Sequence, residues 1–287
     1  MGPTAHILPC GQRMHLQHGP SDLIVYAEGE RDRAFSAAKA RFDTIIAEVV
    51  SELDTLRKMI SPLSTAPKGA AARRMHDAAT CFGGEQVVTP MAAVAGAIAD
   101  EVLAAMTAQT PLQRAYVNNG GDIALHLAPG TAFSTAIMGH DGTQLGTIQI
   151  DGADPVRGIA TSGRHGRSLS LGIADSVTVL AERAAQADVA ATLIANAVDL
   201  PGHSAIHRRP ARDVIEDSDL DDLPVVVGCG PLTSKDAQRA LTKGQSLANR
   251  FAVAKLISGA GLFLQGQSMT TQQTNFLTIP TPEPAHV

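Results

Sequence analysis

Tryptophan is missing from this sequence and tyrosine occurs only twice, so little is available to build a base-stacking platform for single-stranded nucleic acid. Long basic tracts are missing too. The 28 acidic residues outnumber the 23 basic ones, and a net charge of −5 argues against binding a phosphate backbone. Cysteine is scarce: Cys10, Cys81 and Cys229 are odd in number, far apart and outside any Cys-x-x-Cys spacing. That usage excludes a disulfide framework and a thiolate zinc site and fits a reducing compartment. The opening MGPTAHILPCGQRMHLQHGP lacks an apolar core of signal-peptide length. The longest apolar stretch, near Met91, is interrupted by Gly96, Asp100 and Glu101 before it reaches membrane-spanning length. These gaps predict a cytoplasmic protein without a membrane or nucleic-acid partner.

What is present is a large apolar fraction in periodic order. Hydrophobic residues make up 44% of 287, enough for a substantial core. Residues 12–27 give two short β-like runs around His18-Gly19-Pro20-Ser21-Asp22. From Arg31 to Ile60 the apolar positions Phe35, Ala38, Phe42, Ile45, Val49, Leu53 and Leu56 recur at helical spacing, predicting one amphipathic helix closed by Pro62. Residues 61–86, rich in Pro, Gly, Ala and Arg without a period, read as a long mobile loop. Thr89-Pro90 read as N-cap and first residue of a buried helix to about Met106. Gly96 inside it costs about 1 kcal/mol against Ala, which points to a close helix crossing or to close approach of a ligand.

Tyr116–Leu125 reads as two strands joined through Asn119-Gly120, the strongest short hairpin signal. Runs at 132–138 and 145–150 add further strands. Many short strands between few helices predict an α+β fold with mostly antiparallel sheet.

Chemistry concentrates between Gly158 and Asp199. Ile159-Ala160-Thr161 reads as a strand end, stopped by Ser162-Gly163. Arg164 and Arg167 follow at once, so hydroxyls, free amides and two guanidiniums suited to an anion lie close together. Ser168–Leu171 and Ser176–Leu180 read as β, and Ala184–Val198 as a helix. On that helix Asp188 and Thr192 share a face. They read as a hydrogen-bonded surface pair or as hard oxygen ligands of the kind Mg²⁺ accepts. Beyond Asp199, His203 and His207 sit among Pro201, Gly202 and Pro210 and read as exposed loop histidines. Arg208, Arg209 and Arg212 can meet an anion or the neighbouring acids. Pro224–Gly230 reads as a strand, Ser234–Ile257 as a second amphipathic helix, and the tail from Thr270 as frayed.

The order NNGGD, ATSG, SVTV, ADxxxT resembles the ApbE superfamily, whose best-known members are Mg²⁺-dependent flavin transferases. The blocks PMAAVAGAIAD, GIATSG, SLGIADSVTVLA and ATLIANAVDLP are similar to its uncharacterised, compact branch, over Thr89 to about Gly266. The resemblance implies one ApbE-like domain over residues 1–267, with 268–287 as a flexible tail. It implies a metal held by Asp188 and Thr192, and a cleft turn at Asn118, Gly120, Gly121 and Asp122. Thr161, Ser162 and Gly163 match a loop beside the nucleotide, with Arg164 and Arg167 as anion partners by chemistry alone. Its implied cofactors are Mg²⁺ and FAD or a related nucleotide, its partner a small phosphate ligand, and a homo-oligomer is compatible with it.

Two departures bear on activity. The His-x-x-Asp-Pro-x-Thr-Gly block of the transferases has no counterpart between Arg164 and Asp175, and Ala95 stands where they carry lysine before Gly96. Classical protein flavinylation is therefore not expected. The reading is a transferase or diphosphate hydrolase with catalytic residues unassigned; the alternatives are a non-catalytic binding protein and a sulfur-assimilation factor. For the last of these, Cys81 is the only cysteine worth a mutation.

Overall fold

Among the described residues every strand pair is antiparallel. The computed structural model describes residues 2–61, 63–83, 88–216, 218–271 and 277–278. Strands β1 (Thr4–Ile7), β2 (Arg13–His18), β3 (Ser21–Gly29), β4 (Leu112–Asn119) and β5 (Asp122–Leu127) lie side by side in chain order. β6 (Ala132–Met138) and β7 (Gln144–Asp151) then leave as a hairpin of a second sheet. β8 (Gly158–Ser162) and β9 (Ser176–Ala181) return to the first sheet, while β10 (Ile206–Pro210) and β11 (Pro224–Cys229) form a separate ribbon. β12 (Gly259–Leu264) and β13 (Gln267–Thr270) complete a nine-stranded sheet, and β14 (Leu277–Thr278) pairs with β7. The α+β expectation holds.

The period of two along these strands decides what packs where. Val117, Ala124, Ala160, Val179 and Leu262 face a helical layer and join Phe42, Ile98, Met106, Ile194 and Leu241 in one core. Ile123, Leu125, Ile159, Leu180 and Phe263 point the other way and meet Ile137, Ile148 and Ile150 of the small sheet. The helices are α1 (Arg31–Ser51), α2 (Leu53–Leu56), α3 (Ala70–Cys81), α4 (Val94–Gln109), α5 (Ala184–Ala197) and α6 (Ser234–Val253), with a 3₁₀ turn, Pro90–Ala93, leading into α4. Pro90–Gln109 is the one described stretch long and apolar enough to cross a membrane. Here it lies in the core, with Ala97, Ala99, Val102 and Met106 fully buried.

The crossing of α4 and α5 is the join that positions the site. Gly96 lies against the first turn of α5, where a Cβ would run into the Ala184 carbonyl. Gly158 of β8 lies against the same turn, and a Cβ there would strike the Arg183–Ala184 peptide. The missing side chains thus let α5 start between a helix and a strand.

Several expectations are corrected. The first helix is not continuous: Glu52 leaves the helical region at φ −118°, ψ 13°. Its carboxylate accepts from the Lys68 and Gly69 amides, both at 2.7 Å, at the start of α3. The stretch read as a mobile loop contains α3, with Ala71, Ala72, Met75, Ala78 and Ala79 buried at helical spacing. Its apolar face is almost entirely alanine, which weakens the hydrophobic signal. Residues 62 and 84–86 of that stretch, and 87 after it, lie outside the described residues. The Thr89 hydroxyl donates to Asp219 and accepts from no helix amide. Ser168–Leu171 is not a strand, because its backbone makes single bonds to two elements: Leu171 N to Asn196 Oδ1 and Val226 N to Ser170 O. The expectation of a frayed tail fails at Leu277 and Thr278, which pair with Ile148 and Thr147; the rest of the tail from 272 lies outside the described residues.

Candidate functional site

The β4–β5 turn is built for a tight reversal. Gly120 and Gly121 take φ of 67° and 114°, a region that side chains disfavour. Asn118 Oδ1 accepts from Gly121 N at 2.8 Å and closes the turn. Asn119 ties it to its surroundings: Oδ1 accepts from Asp22 N at 3.3 Å, and Nδ2 donates to Ala95 O at 3.2 Å. The turn is thereby fixed to the start of α4.

Asp122 follows on the helical face of the sheet, beside Ala124 of the main core. It is 9% exposed, and its Oδ1 accepts from Thr161 N at 3.3 Å. Loss of hydration pushes its carboxyl up to about 7, against the pull of the Thr161 amide and the Arg167 charge. Asp188 reaches in from α5, where its Oδ2 accepts from Gly96 N at 3.0 Å. Burial and then the Asp122 charge raise it well above the carboxylate range, with the Gly96 and Ala95 amides opposing and Asp100 adding to the rise. The two carboxyls therefore share one field. The charged groups acting most strongly on Asp188 are both acidic, while Arg167 acts on Asp122.

Helices α4 and α5 cap each other. Asp188 of α5 serves the free amide of Gly96 in the first turn of α4. Asp100 of α4 accepts from Ala184 N at 3.1 Å and Ala185 N at 3.0 Å in the first turn of α5. Asp100 is a functional-looking acid that motif reasoning passes over. Its signal was present, since an acid inside a nearly all-apolar helix needs a partner.

The remaining sequence-selected residues divide. Thr161 contributes its amide to Asp122, while its hydroxyl lies 2.9 Å from Thr178 Oγ1 on the opposite face of the sheet. Ser162, next along β8, shares the helical face by alternation. Gly163 permits close approach, for a Cβ there would sit 2.5 Å from Asp175 O. Arg167 stands at the turn, where Nη1 donates to Pro20 O at 2.9 Å and the guanidinium lies so close to Gly120 that a Cβ would strike it. Asp22, Asn118, Gly121 and Arg167 line a shallow cavity of about 300 Å³ there. Arg164 faces elsewhere: Nε and Nη2 both donate to Asp175 Oδ1, at 2.9 and 2.7 Å. Thr192 is partly buried, one turn beyond Asp188 on α5.

The His203/His207 segment is not a ligand pair. His203 Nδ1 accepts from Ala205 N, and His207 is exposed within β10. The arginines nearby meet neighbours: Arg208 pairs with Asp199, Arg212 with Asp222, and Arg209 donates to Asp213 O. No group of three or more His, Cys, Asp or Glu side chains able to hold a metal occurs among the described residues.

An antiparallel sheet carrying a Gly-Gly hairpin turn under a mutually capped helix pair defines an α+β protein whose acids gather where sheet and helices meet. The family model described as "AbpE bacteria" matches residues 5–270, and the chain belongs to that family. It is 37% identical over 183 residues to the UPF0280 protein of Methanopyrus kandleri, covering 61% of this chain and 70% of that protein. With the UPF0280 protein of Methanocaldococcus jannaschii it shares 39% identity over 116 residues, which is 38% of this chain and 45% of the relative. The ApbE protein of Thermotoga maritima has a similar fold, with a TM-score of 0.53 at 11% identity over 94% of this chain and 97% of that one. So does the flavinyl transferase ApbE of Pseudomonas stutzeri, at 0.50 and 11% over 95% and 96%.

Proposed function

We propose that the cleft at Asn118–Asp122, Thr161–Gly163 and α5 binds a flavin nucleotide or a related phosphate ligand together with Mg²⁺, in a transferase or diphosphate hydrolase. The observation that carries this reading is the Asp122–Asp188 pair, two poorly hydrated carboxyls, one accepting from Thr161 N and the other from Gly96 N, whose charges act on one another. A divalent cation relieves that field, and a phosphate ligand completes its shell. The donor set fits. Asp122, Asp188 and Thr192 offer hard oxygens only, and Mg²⁺ commonly takes one or two carboxylates with the rest from phosphate and water.

In this reading Asp188 and Thr192 hold the cation, which when bound offsets charge on the diphosphate. Arg167 meets a phosphate oxygen, and the Gly120-Gly121 backbone lets it approach. Residues 1–267 act as one domain, and the three free cysteines suit a reducing, cytoplasmic setting. The structural relative from Pseudomonas stutzeri is named a flavinyl transferase, which supports the flavin class of ligand.

The test is thermal unfolding of wild type, Asp188→Asn and Thr192→Val with and without FAD and Mg²⁺. A ligand at one hundred times its Kd adds about 2.7 kcal/mol, or roughly 5–10 °C for a chain of this size. Wild type is expected to shift by that order and both variants far less. No shift in wild type refutes the flavin reading; equal shifts in the variants refute the metal assignment.

A further inference from the structure

A second cavity, of about 480 Å³, opens on the other side of the large sheet. It lies between the β6–β7 tip, the loop after β8 and the β12–β13 turn, and shares no lining residue with the Asn118–Asp122 turn. Its volume falls in the range of small-molecule sites. Leu145 and Phe263 give it apolar wall, and Ser176 is among its lining residues. Ser176 is 7% exposed, and its Oγ has no hydrogen-bond partner. A buried hydroxyl left unpaired costs stability, and rotation of the Ser176 side chain toward the cavity would let a ligand atom pair it.

The second feature is a stacked imidazole pair. His140, which lines the cavity, lies parallel to His165 with centroids 3.7 Å apart and an interplanar angle of 4°. His165 is anchored in turn, with Nε2 3.2 Å from Asp175 Oδ1. The wall is held from behind as well: Gln265 takes φ 45° in the β12–β13 turn, and its side chain bonds Leu232 N and Gly230 O, each at 2.9 Å. The site is thus pre-formed.

The cation at the cavity is already engaged, since Arg164 is bonded to Asp175, while Asp141 accepts from the neutral Thr143 amide at 3.0 Å and keeps its negative charge. No unpaired cation waits for a phosphate, which separates this site from the acidic pair on the other face. We propose that this cavity binds an uncharged planar heteroaromatic ring, lying against His140 and hydrogen-bonded to Ser176.

The experiment uses lumichrome and adenine, planar rings without phosphate, titrated without divalent cation against the full chain by fluorescence and calorimetry. At least one should bind. Ser176→Ala is expected to weaken that binding roughly 3- to 10-fold, the value of one neutral hydrogen bond, without lowering the melting temperature. His140→Ala at the exposed tip is expected to weaken it by a similar factor through the lost ring contact. Leu145→Trp, which fills the cavity, should abolish it. Asp188→Asn should bind as wild type does, so that failure here and failure of the Mg²⁺-nucleotide reading remain distinct. The proposal is overturned if neither ring binds at millimolar concentration, if Ser176→Ala and His140→Ala bind as wild type, or if Asp188→Asn loses binding.

Discussion

Replacing Asp122 by Asn should make the cation-free protein more stable at neutral pH. The carboxyl titrates at about 7 in the fold against an ordinary value of 3.8, chiefly because it is buried. A folded pKa above the unfolded one means that the native state holds the proton longer. Stability is therefore fully present below pH 4, falls as pH rises toward 7, and is flat beyond. A difference of about 3 pH units at about 1.4 kcal/mol per unit sets an upper bound of about 4 kcal/mol for the strain of ionising Asp122. Asn keeps an oxygen for the Thr161 amide and carries no charge, so the variant should recover about 1–4 kcal/mol at pH 8 and nothing at pH 4. Urea unfolding of both proteins in chelator at pH 4, 6 and 8 measures this. Mg²⁺ should then stabilise wild type more than the variant and flatten its pH dependence. A variant equally destabilised at pH 4 and 8 would refute the reasoning, since it would mean that the charge is compensated in the fold.

Gly96→Ala sets a helix-propensity gain of about 1 kcal/mol against a collision with the Ala184 carbonyl, a backbone atom that cannot swing aside. Overpacking of this kind costs about 1–3 kcal/mol or more, so thermal unfolding should show a net fall of several degrees. Asp100→Ala removes the acceptor for both the Ala184 and Ala185 amides and should cost about 1–3 kcal/mol by the same measurement, with no change in response to Mg²⁺. Incubation with FAD, Mg²⁺ and an acceptor peptide should leave the peptide unmodified by mass spectrometry, because the histidine-containing block and the lysine before Gly96 are both missing.

The hairpins, the SVTV strand and the helix carrying Asp188 were legible because each has strong periodicity or a turn signal of its own. The Asn118–Asp122 turn was legible for the same reason. Helix α3 was not, since alanine fills its buried face and the surrounding Pro and Gly suggest a loop. The direction of Arg164 was not legible either: Asp175 lies eleven positions away, and only the return of the chain into β9 brings it within reach. Gly96 admitted two readings from sequence. The close crossing against α5 accounts for its missing side chain, and its amide is in addition a donor to Asp188.

That last bond gives Asp188 two duties, and they can be separated. As a cap it needs an oxygen for Gly96 N; as a metal ligand it needs charge. Asn and Asp serve about equally well as helix caps, so Asp188→Asn preserves the first duty and removes the second, whereas Asp188→Ala removes both. If the response to Mg²⁺ and FAD depends on the packing of α4 against α5, Asn will respond as wild type does and Ala will not. If it depends on charge, Asn and Ala will fail alike, and only Ala will also lose stability without ligand, by about 1 kcal/mol for the lost cap. Thr192→Val, which leaves the Gly96 bond untouched, should then follow Asn: a melting temperature near wild type, and no response to the metal.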